Sequence, residues 1–292
     1  MASTYDDWAA LRAALEKVGF SPTRALGQNF LVDSNLLDAI ARDAAIEPTE
    51  RVVEIGPGPG WLTRRLAQRA AHVTAFELDE RIVEYLRDEL EGMQNVEVVS
   101  GDALGGSKRG LHPRLREELQ RGCVLVANLP YGIASALLAN LARHNPPPRR
   151  SVVMVQREVA DRLCAQPATG DFGALTVAVR ATLTVERLRE LSPSVFRPRP
   201  KVHSTVLRLA PMGRELRDDQ WERLDRVLRV AFGERRKQLA PRLSAAAPPH
   251  APVAAWLVEL GVPAGVRGEA LSVEQLLALA ERLGERPREP GR

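Results

Sequence analysis

The sequence predicts an α/β protein in which a doubly wound parallel sheet is followed by a small all-helical domain. Five short apolar segments alternate with segments of helical periodicity between residues 51 and 165, and this alternation is typical of parallel strands joined by helical crossovers. A glycine-rich turn follows the first of these strands, and four further helical segments follow residue 211. With 292 residues, 45% of them hydrophobic, the chain can bury one large core and a small appended domain.

The first predicted element is a helical extension that covers residues 1–48. Its apolar residues recur at helical spacing, beginning with Trp8, Leu11, Leu15 and Val18. A second helix is expected over 34–45, because Asp33 is a good N-terminal cap for it.

The sheet follows this extension. Its parallel strands are predicted at 51–55, 72–77, 95–99, 122–127 and 151–156. The helices that follow these strands are predicted at 61–70, 79–90, 111–121, 133–143 and 157–165. Two late strands, 185–188 and 203–209, flank a proline-rich loop at 192–201.

A domain boundary is predicted at Ala210-Pro211-Met212-Gly213, so that the first domain spans 1–210. The second domain, 211–284, is expected to contain only helices, at 218–230, 234–245, 253–260 and 273–283. The polar tail 285–292 is expected to be disordered.

A glycine-rich turn, Glu54-Ile55-Gly56-Pro57-Gly58-Pro59-Gly60, joins the first strand to its helix. Glycines allow the backbone to turn tightly and to approach a ligand closely. The dinucleotide fingerprint, counted from Gly56, requires a third glycine where Trp61 stands, so this turn disfavours a nicotinamide cofactor.

Acidic residues end the next two predicted strands. Glu77 ends the second strand, where a carboxylate can accept hydrogen bonds from both hydroxyls of a ribose. Asp102 follows the third strand and can accept a hydrogen bond from an adenine amine. Taken singly, a helix cap at Asp79 or a plain Gly-Asp turn would explain these positions equally well.

The fourth strand leads into Asn128-Leu129-Pro130-Tyr131. An exocyclic base amine is a poor nucleophile, and an enzyme that alkylates it needs acceptors for both of its N–H groups. The Asn128 side chain and the Pro130 carbonyl can be those acceptors, and Tyr131 offers a ring face on which a flipped-out base can stack. Two acids and this turn, in this order, are what an S-adenosylmethionine-dependent amino-methyltransferase requires.

With these motifs the chain resembles the rRNA adenine N(6),N(6)-dimethyltransferases of the KsgA/RsmA and Dim1 type. The resemblance covers nearly the whole chain. Besides the Gly56 to Gly60 loop and Asn128 to Tyr131, it rests on Leu26-Gly27-Gln28-Asn29-Phe30-Leu31, Glu77-Leu78-Asp79, Gly101-Asp102, Gln156-Arg157-Glu158-Val159 and Pro193-Ser194-Val195-Phe196-Arg197-Pro198. The family usually has Asn after Asn-Leu-Pro-Tyr, whereas Gly132 stands here, a change that removes none of the acceptors.

This resemblance implies a Rossmann-like S-adenosylmethionine-dependent methyltransferase domain and a set of site residues. It implies that the cofactor contacts are Asn29, Leu31, Gly56, Glu77, Asp102 and Asn128. It makes Asn128 to Tyr131 catalytic, and Phe196 the second aromatic wall of the adenine pocket. The implied reaction transfers methyl groups from S-adenosyl-L-methionine to two adjacent adenosines near the 3′ end of small-subunit (16S) rRNA during subunit biogenesis. Each adenosine is methylated twice, and the cofactor product is S-adenosyl-L-homocysteine.

Basic charge is concentrated in one part of the chain. Residues 186–243 contain 15 Lys and Arg against 8 Asp and Glu, whereas residues 1–185 contain 21 against 23. Such a region suits phosphate binding, although an arginine-rich solvated helix face is equally compatible with it. Arg235, Arg236 and Lys237 resemble the helix start that meets RNA in the family, and they are the predicted RNA-binding residues.

Three other functions remain open. A macrolide-resistance methyltransferase acts on large-subunit rRNA with the same motif, but typically has Ile where Leu129 stands. A ribosome-assembly factor would act mainly by binding RNA, and a small-molecule methyltransferase would leave the basic region unused.

Composition excludes several classes of protein. Cys123 and Cys164 are far apart in apolar surroundings and are expected to be reduced packing residues, with neither a disulfide framework nor metal-ligand spacing in the sequence. No apolar run approaches the ~20 residues of a membrane span, and the acidic start does not resemble a signal peptide. We therefore expect a cytoplasmic, monomeric protein without metal.

Overall fold

The computed structural model describes residues 8–20, 28–107, 110–263 and 265–284. The chain forms two compact units. The first unit comprises Met1–Ala160 and Thr184–Pro211, and the second comprises Asp161–Leu183 and Met212–Arg292. The second unit thus includes 161–183, which the predicted boundary after residue 210 assigned to the first domain. The physical reason is packing, because Phe172, Val177 and Ala181 belong to the hydrophobic core of the C-terminal helices.

Twelve α-helices and nine strands lie in the described residues. The elements up to residue 156 are α1 (Trp8–Lys17), β1 (Phe30–Leu31), α2 (Ser34–Asp43), β2 (Arg51–Ile55), α3 (Trp61–Ala67), β3 (His72–Glu77), α4 (Glu80–Glu89), β4 (Val96–Ser100), α5 (Pro113–Arg121), β5 (Cys123–Asn128), α6 (Ala134–Arg143) and β6 (Arg150–Gln156). The others are α7 (Arg157–Cys164), α8 (Ala174–Arg180), β7 (Leu183–Leu191), β8 (Phe196–Arg197), β9 (Ser204–Pro211), α9 (Asp218–Gly233), α10 (Leu239–Ala246), α11 (Val253–Glu259) and α12 (Val273–Arg282).

Seven strands form the main sheet, in the order β4-β3-β2-β5-β6-β9-β7. The five strands from β4 to β6 are parallel, and β9 pairs antiparallel with β6. The strand order reverses between β2 and β5, which makes the carboxyl ends of these strands the expected position of a ligand in a doubly wound sheet. The observed Rossmann-like sheet followed by helices confirms the predicted fold class.

Local signals explain where several elements begin. The Asp33 carboxylate accepts a hydrogen bond from the Leu36 amide and caps α2, as predicted. Asp79 caps α4 in the same way through the Arg81 amide. The strands of the sheet centre have mostly buried residues because helices cover both faces of a parallel sheet.

Three features differ from the sequence prediction. Helix α8 was not predicted, and neither was the two-stranded sheet in which Leu31 pairs with Phe196. Helix α10 begins at Leu239 instead of 234, because Gln238 is held in an extended bridge to Arg267. These features depend on contacts between distant parts of the chain, which the periodicity of a segment does not encode.

The second unit has its own hydrophobic core, built mainly by one face of each of its helices. Trp221 and Leu224 of α9 and Leu276 and Leu279 of α12 are buried in it. No helix in the described part of the chain is long and apolar enough to cross a membrane.

Candidate functional site

A cavity of about 200 Å³ opens in the first unit. Its walls come from the segment before β1 and from the residues at and after the carboxyl ends of β2, β3, β4 and β5. The lining residues are Gln28, Asn29, Phe30, Ile55, Gly56, Gly58, Phe76, Glu77, Leu78, Ile82, Gly101, Asp102, Ala103, Asn128, Leu129, Pro130, Tyr131, Gly132 and Ile133. The cavity therefore brings together motifs that are far apart along the chain: the glycine-rich turn, Glu77, Asp102 and the Asn128–Tyr131 turn.

Glycine is needed at the two positions of the loop after β2 that line the cavity. Gly56 has φ +70°, and a Cβ atom there would lie 3.3 Å from Cδ of Pro130, so the loop packs directly against the Asn-Leu-Pro-Tyr turn. Gly58 has φ +54°, and a Cβ atom would lie 2.8 Å from the Phe30 ring. The absence of side chains at both positions brings the loop backbone close to the cavity.

Glu77 ends β3 with a buried side chain that backbone amides hold in place. Its Oε1 accepts hydrogen bonds from the amides of Leu78 at 2.9 Å and Asp79 at 3.0 Å, and its Oε2 accepts one from Gly58 at 3.3 Å. Burial raises the pKa of Glu77, and the three amides partly offset this effect. A carboxylate has about four acceptor sites, so a diol would use the free site and replace the long bond from Gly58.

Asp102 follows β4 and also lines the cavity. Its carboxylate accepts a hydrogen bond from the amide of Leu104 at 2.9 Å, which fixes its orientation. Apolar side chains of Phe76, Ile82 and Ala103 line the cavity nearby. Apolar walls together with one acceptor suit a flat heterocycle with an exocyclic amine.

The turn after β5 holds three polar groups in defined directions. Nδ2 of Asn128 donates to the carbonyl oxygen of Asn29 at 3.0 Å, so Oδ1 is the acceptor that the amide retains. The Pro130 carbonyl accepts the Ile133 amide at 3.1 Å and keeps a second lone pair. The Tyr131 hydroxyl lies 3.3 Å from the Ser204 hydroxyl, an interaction that restrains the partly buried ring.

The segment at and before β1 connects the site to the loop before β8. Asn29 lines the cavity and holds Asn128 through its carbonyl group, while Phe30 packs against Gly58. Leu31 is buried and lines a smaller adjoining cavity rather than the main one. The Leu26-Gly27 part of this motif lies outside the described residues.

Phe196 lies in the hydrophobic core and does not line the main cavity. Its side chain is 1% exposed, and it pairs with Leu31 in the small antiparallel sheet. A buried ring has no face on which a base could stack, so the structure does not bring Phe196 together with Tyr131 as a second wall. A wall role would require this loop to open, and it stays a prediction.

A buried acid near the cavity had no predicted role. Glu54 of β2 is 1% exposed, and its Oε2 has no hydrogen-bond partner among the described residues. The sequence offered one signal, since a carboxylate directly before a glycine-rich turn sits in a strand that is otherwise apolar. Burial cannot be read from that signal alone.

In the second unit, the predicted RNA-binding residues differ from one another. Arg235 donates to the Glu269 carboxylate at 2.7 Å and to the Thr169 carbonyl at 3.2 Å, so its guanidinium holds the helical unit together. Lys237 pairs with Glu234 at 2.9 Å in solvent, and Arg236 is exposed. The exposed pair contributes little to stability and leaves the lysine accessible.

This site defines a class of protein. A Rossmann-like sheet that carries a glycine-rich loop, an acid after each of the next two strands and an Asn-Leu-Pro-Tyr turn is typical of methyltransferases that use a nucleoside cofactor and act on an amine. The comparison with known proteins supports the same class. The family model described as ribosomal RNA adenine dimethylase matches residues 19–285. The chain belongs to this family, as predicted, and is an enzyme that uses a methyl donor of the S-adenosylmethionine type.

Curated relatives carry a common name. The chain is 38% identical over 278 residues to ribosomal RNA small subunit methyltransferase A of Bacillus cytotoxicus, covering 92% of this chain and 94% of the relative. It is 39% identical over 284 residues to the protein of that name from Streptococcus equi subsp. zooepidemicus, covering 95% and 97%.

Two solved structures are also similar. The dimethyladenosine transferase from Plasmodium falciparum superposes with a TM-score of 0.70 at 27% identity, over 85% of this chain and 94% of that one. The 23S rRNA methyltransferase ErmE superposes with a TM-score of 0.65 at 32% identity, over 88% of this chain and 100% of that one.

Proposed function

We propose that the protein uses S-adenosyl-L-methionine to dimethylate N6 of two adjacent adenosines near the 3′ end of small-subunit rRNA. The observation that carries this proposal is the meeting of Glu77, Asp102 and the Asn128–Tyr131 turn around one cavity. The names of the curated relatives support the choice of small-subunit rRNA.

The residues around the cavity fit this cofactor. Gly56 lets the loop backbone pack against Pro130 at the cavity, Glu77 presents a carboxylate to ribose hydroxyls, and Asp102 presents one to the adenine amine. Asn29 and Asn128 line the part of the cavity next to the glycine-rich loop. The bound cofactor supplies a sulfonium methyl group that is already activated for transfer, so the protein needs neither a metal nor a strong base.

The substrate amine is held by the turn after β5. Oδ1 of Asn128 and the free lone pair of the Pro130 carbonyl accept its two N–H groups, and the Tyr131 ring stacks on the base. Positioning supplies most of the rate, because bringing the amine into line with the methyl group removes the entropic cost of encounter. Gly132 lines the cavity, and a Cβ atom at this position would meet no other atom within 4 Å, which leaves space for an amine that already carries one methyl group.

Large-subunit rRNA is the second candidate substrate, because the ErmE structure is similar over most of this chain. Leu129 and the helical region after Pro211 favour the small subunit. Incorporation of labelled methyl groups into under-methylated small subunits and into large subunits tests this choice. We expect label in small subunits only, as two adjacent dimethyladenosines, and label confined to large subunits would overturn the assignment.

A matched pair of variants connects the label to the site. Asn128→Ala should abolish methyl transfer while it retains binding of S-adenosylhomocysteine within about tenfold, because one acceptor for the amine is lost. Asn35→Ala, at an exposed position of α2, is the control and should behave as the parent. Unchanged transfer by Asn128→Ala would refute the role of the turn.

The second unit is proposed to bind rRNA phosphates through Arg236 and Lys237, whereas Arg235 acts by holding Glu269. Arg236→Glu should weaken binding to small subunits and reduce the dependence of affinity on salt. Arg116→Glu, an exposed reversal of the same charge in α5, is the control. Equal salt slopes for the two variants would leave Arg236 as a solvated surface residue.

A further inference from the structure

Glu54 is a carboxyl group in apolar surroundings. It lies in β2 between Ala75 of β3 and Val126 of β5, and it is 1% exposed. Its Oε2 is fully buried and lacks a hydrogen-bond partner among the described residues. A buried carboxylate in this condition is costly, so the group either keeps a proton or meets a cation.

The polar groups that act on Glu54 come from two neighbouring elements. Burial is the main cause that raises the pKa of Glu54, to about 8, and the negative charge of Glu77 in β3 adds to it. The Thr63 hydroxyl in α3 partly offsets this effect, although in the described part of the chain it too lacks a hydrogen-bond partner within normal distance. Neither neighbour is a cation, so Glu54 stays protonated unless a bound ligand brings a positive charge beside it.

This carboxyl lines a small cavity that shares wall residues with the main one. Glu54 lines a cavity of about 30 Å³ together with Pro57 of the glycine-rich loop. The residues Phe30, Gly56 and Asn128 line both this cavity and the main one. A cationic group bound beside the glycine-rich loop would therefore lie next to the unpartnered oxygen.

We propose that Glu54 holds a proton in the cofactor-free protein and gives it up to solvent when the ammonium group of the cofactor's methionine portion binds beside it. This inference rests on the proposed function, since it assumes that the cavity binds S-adenosylmethionine. The O–H bond of the acid breaks, the proton passes to the buffer, and the carboxylate then accepts N–H donors from the ammonium group. A sulfonium has no N–H or O–H donor and would leave the carboxylate oxygen without a hydrogen bond.

Titration calorimetry in two buffers of different ionisation enthalpy counts the released protons without any turnover. S-adenosylhomocysteine carries the ammonium group but no sulfonium. 5′-Methylthioadenosine keeps the adenine, ribose and thioether but lacks the amino acid portion. It is the control for Glu77, because any proton linked to ribose binding appears with both ligands.

At pH 7 we expect S-adenosylhomocysteine to release about 0.9 proton more than methylthioadenosine, since a group with a pKa of about 8 is then mostly protonated. The affinity for S-adenosylhomocysteine should rise about tenfold between pH 6 and pH 7. The affinity for methylthioadenosine should stay nearly constant over this range. Equal proton release by the two ligands would overturn the proposal.

The variant Glu54→Gln has almost the same shape and cannot release the proton. It should bind S-adenosylhomocysteine with no excess proton release and with an affinity that does not change between pH 6 and pH 7. A thermal melt shows whether the Glu54→Gln protein is folded. If the variant does not fold, the proton count on the parent protein still tests the proposal. Proton release that persists in a folded Glu54→Gln protein would assign the proton elsewhere and refute the inference.

The outcome also separates this inference from the proposed function. Binding of both ligands with equal proton counts would remove the role of Glu54 and leave the cofactor assignment intact. Release with S-adenosylmethionine but not with S-adenosylhomocysteine would identify the sulfonium as the partner and overturn the ammonium assignment. Failure of the parent to bind either nucleoside would refute the cofactor assignment itself, and the inference with it.

Discussion

Phe196→Ala should destabilise the first unit strongly, because the structure places this ring in the core. The side chain is 1% exposed and packs in a cluster with Phe30 and Leu31. Truncation of a buried phenylalanine removes its transfer free energy and leaves a cavity, which together cost about 3–5 kcal/mol. Phe196→Leu retains most of the volume and should cost less than about 1.5 kcal/mol.

Urea unfolding followed by tryptophan fluorescence measures this cost. Trp8 and Trp61 lie in the first unit, whereas Trp221 and Trp256 lie in the second, so replacing the second pair by phenylalanine makes the signal report the first unit alone. The unfolding midpoint should fall far for Phe196→Ala and little for Phe196→Leu. Methyl transfer is then expressed per folded molecule.

An unchanged unfolding midpoint for Phe196→Ala would refute the reasoning from burial. If that variant also lost methyl transfer, the loop must open in solution and expose the ring to the site, as the sequence predicted for a second pocket wall. Lost stability with normal transfer per folded molecule would identify Phe196 as an anchor of the loop.

Further predictions concern the glycine-rich loop and two buried acids. Gly58→Ala should lower the affinity for S-adenosylhomocysteine in equilibrium dialysis, because its Cβ would lie 2.8 Å from the Phe30 ring. The control is Gly92→Ala, at a position that also has positive φ but has open space around it in the described structure. It should leave that affinity unchanged. Glu118→Gln should cost about 3–5 kcal/mol at pH 7, because it removes the buried negative charge and turns one of the two oxygens that accept from Arg51 into an NH2 donor. Burial opposes ionisation of Glu118, but hydrogen bonds from arginines lower its pKa overall. The stability that the ionised Glu118 contributes is therefore fully present above pH 4.5 and is lost as the pH falls through the lowered pKa. The urea midpoints of parent and variant should converge in acid. Glu54→Gln should stabilise the cofactor-free protein by up to about 5 kcal/mol above pH 8 and should have no effect below pH 4.5. The reason is that the raised pKa of Glu54 makes the parent lose stability as the pH rises from 4.5 to 8. Melting temperatures of parent and variant that change equally with pH would contradict this.

Local patterns in the sequence determined much of this protein. Strands buried on both faces have continuous apolar runs, helices have apolar residues at helical spacing, and a turn that approaches a ligand needs glycine; each of these signals lies within a few residues. They predicted the fold class and, together with the resemblance, the family, both of which are confirmed. The resemblance also implied that Gly56, Glu77, Asp102 and Asn128 contact one cofactor, and the structure places all four around one cavity.

Only the tertiary structure decided the environment of the other residues. Phe196 is buried because it pairs with Leu31, which is far away in the sequence, and Arg235 is held by Glu269 rather than left free for a phosphate. The segment 161–183 joins the second unit because its apolar residues pack on helices that follow residue 212. One oxygen of Glu54 has no hydrogen-bond partner among the residues that the structure describes, because strands and helices from across the first unit enclose it. Burial, and with it the pKa of a side chain, is set by all neighbours together, and most of those neighbours are distant in the chain.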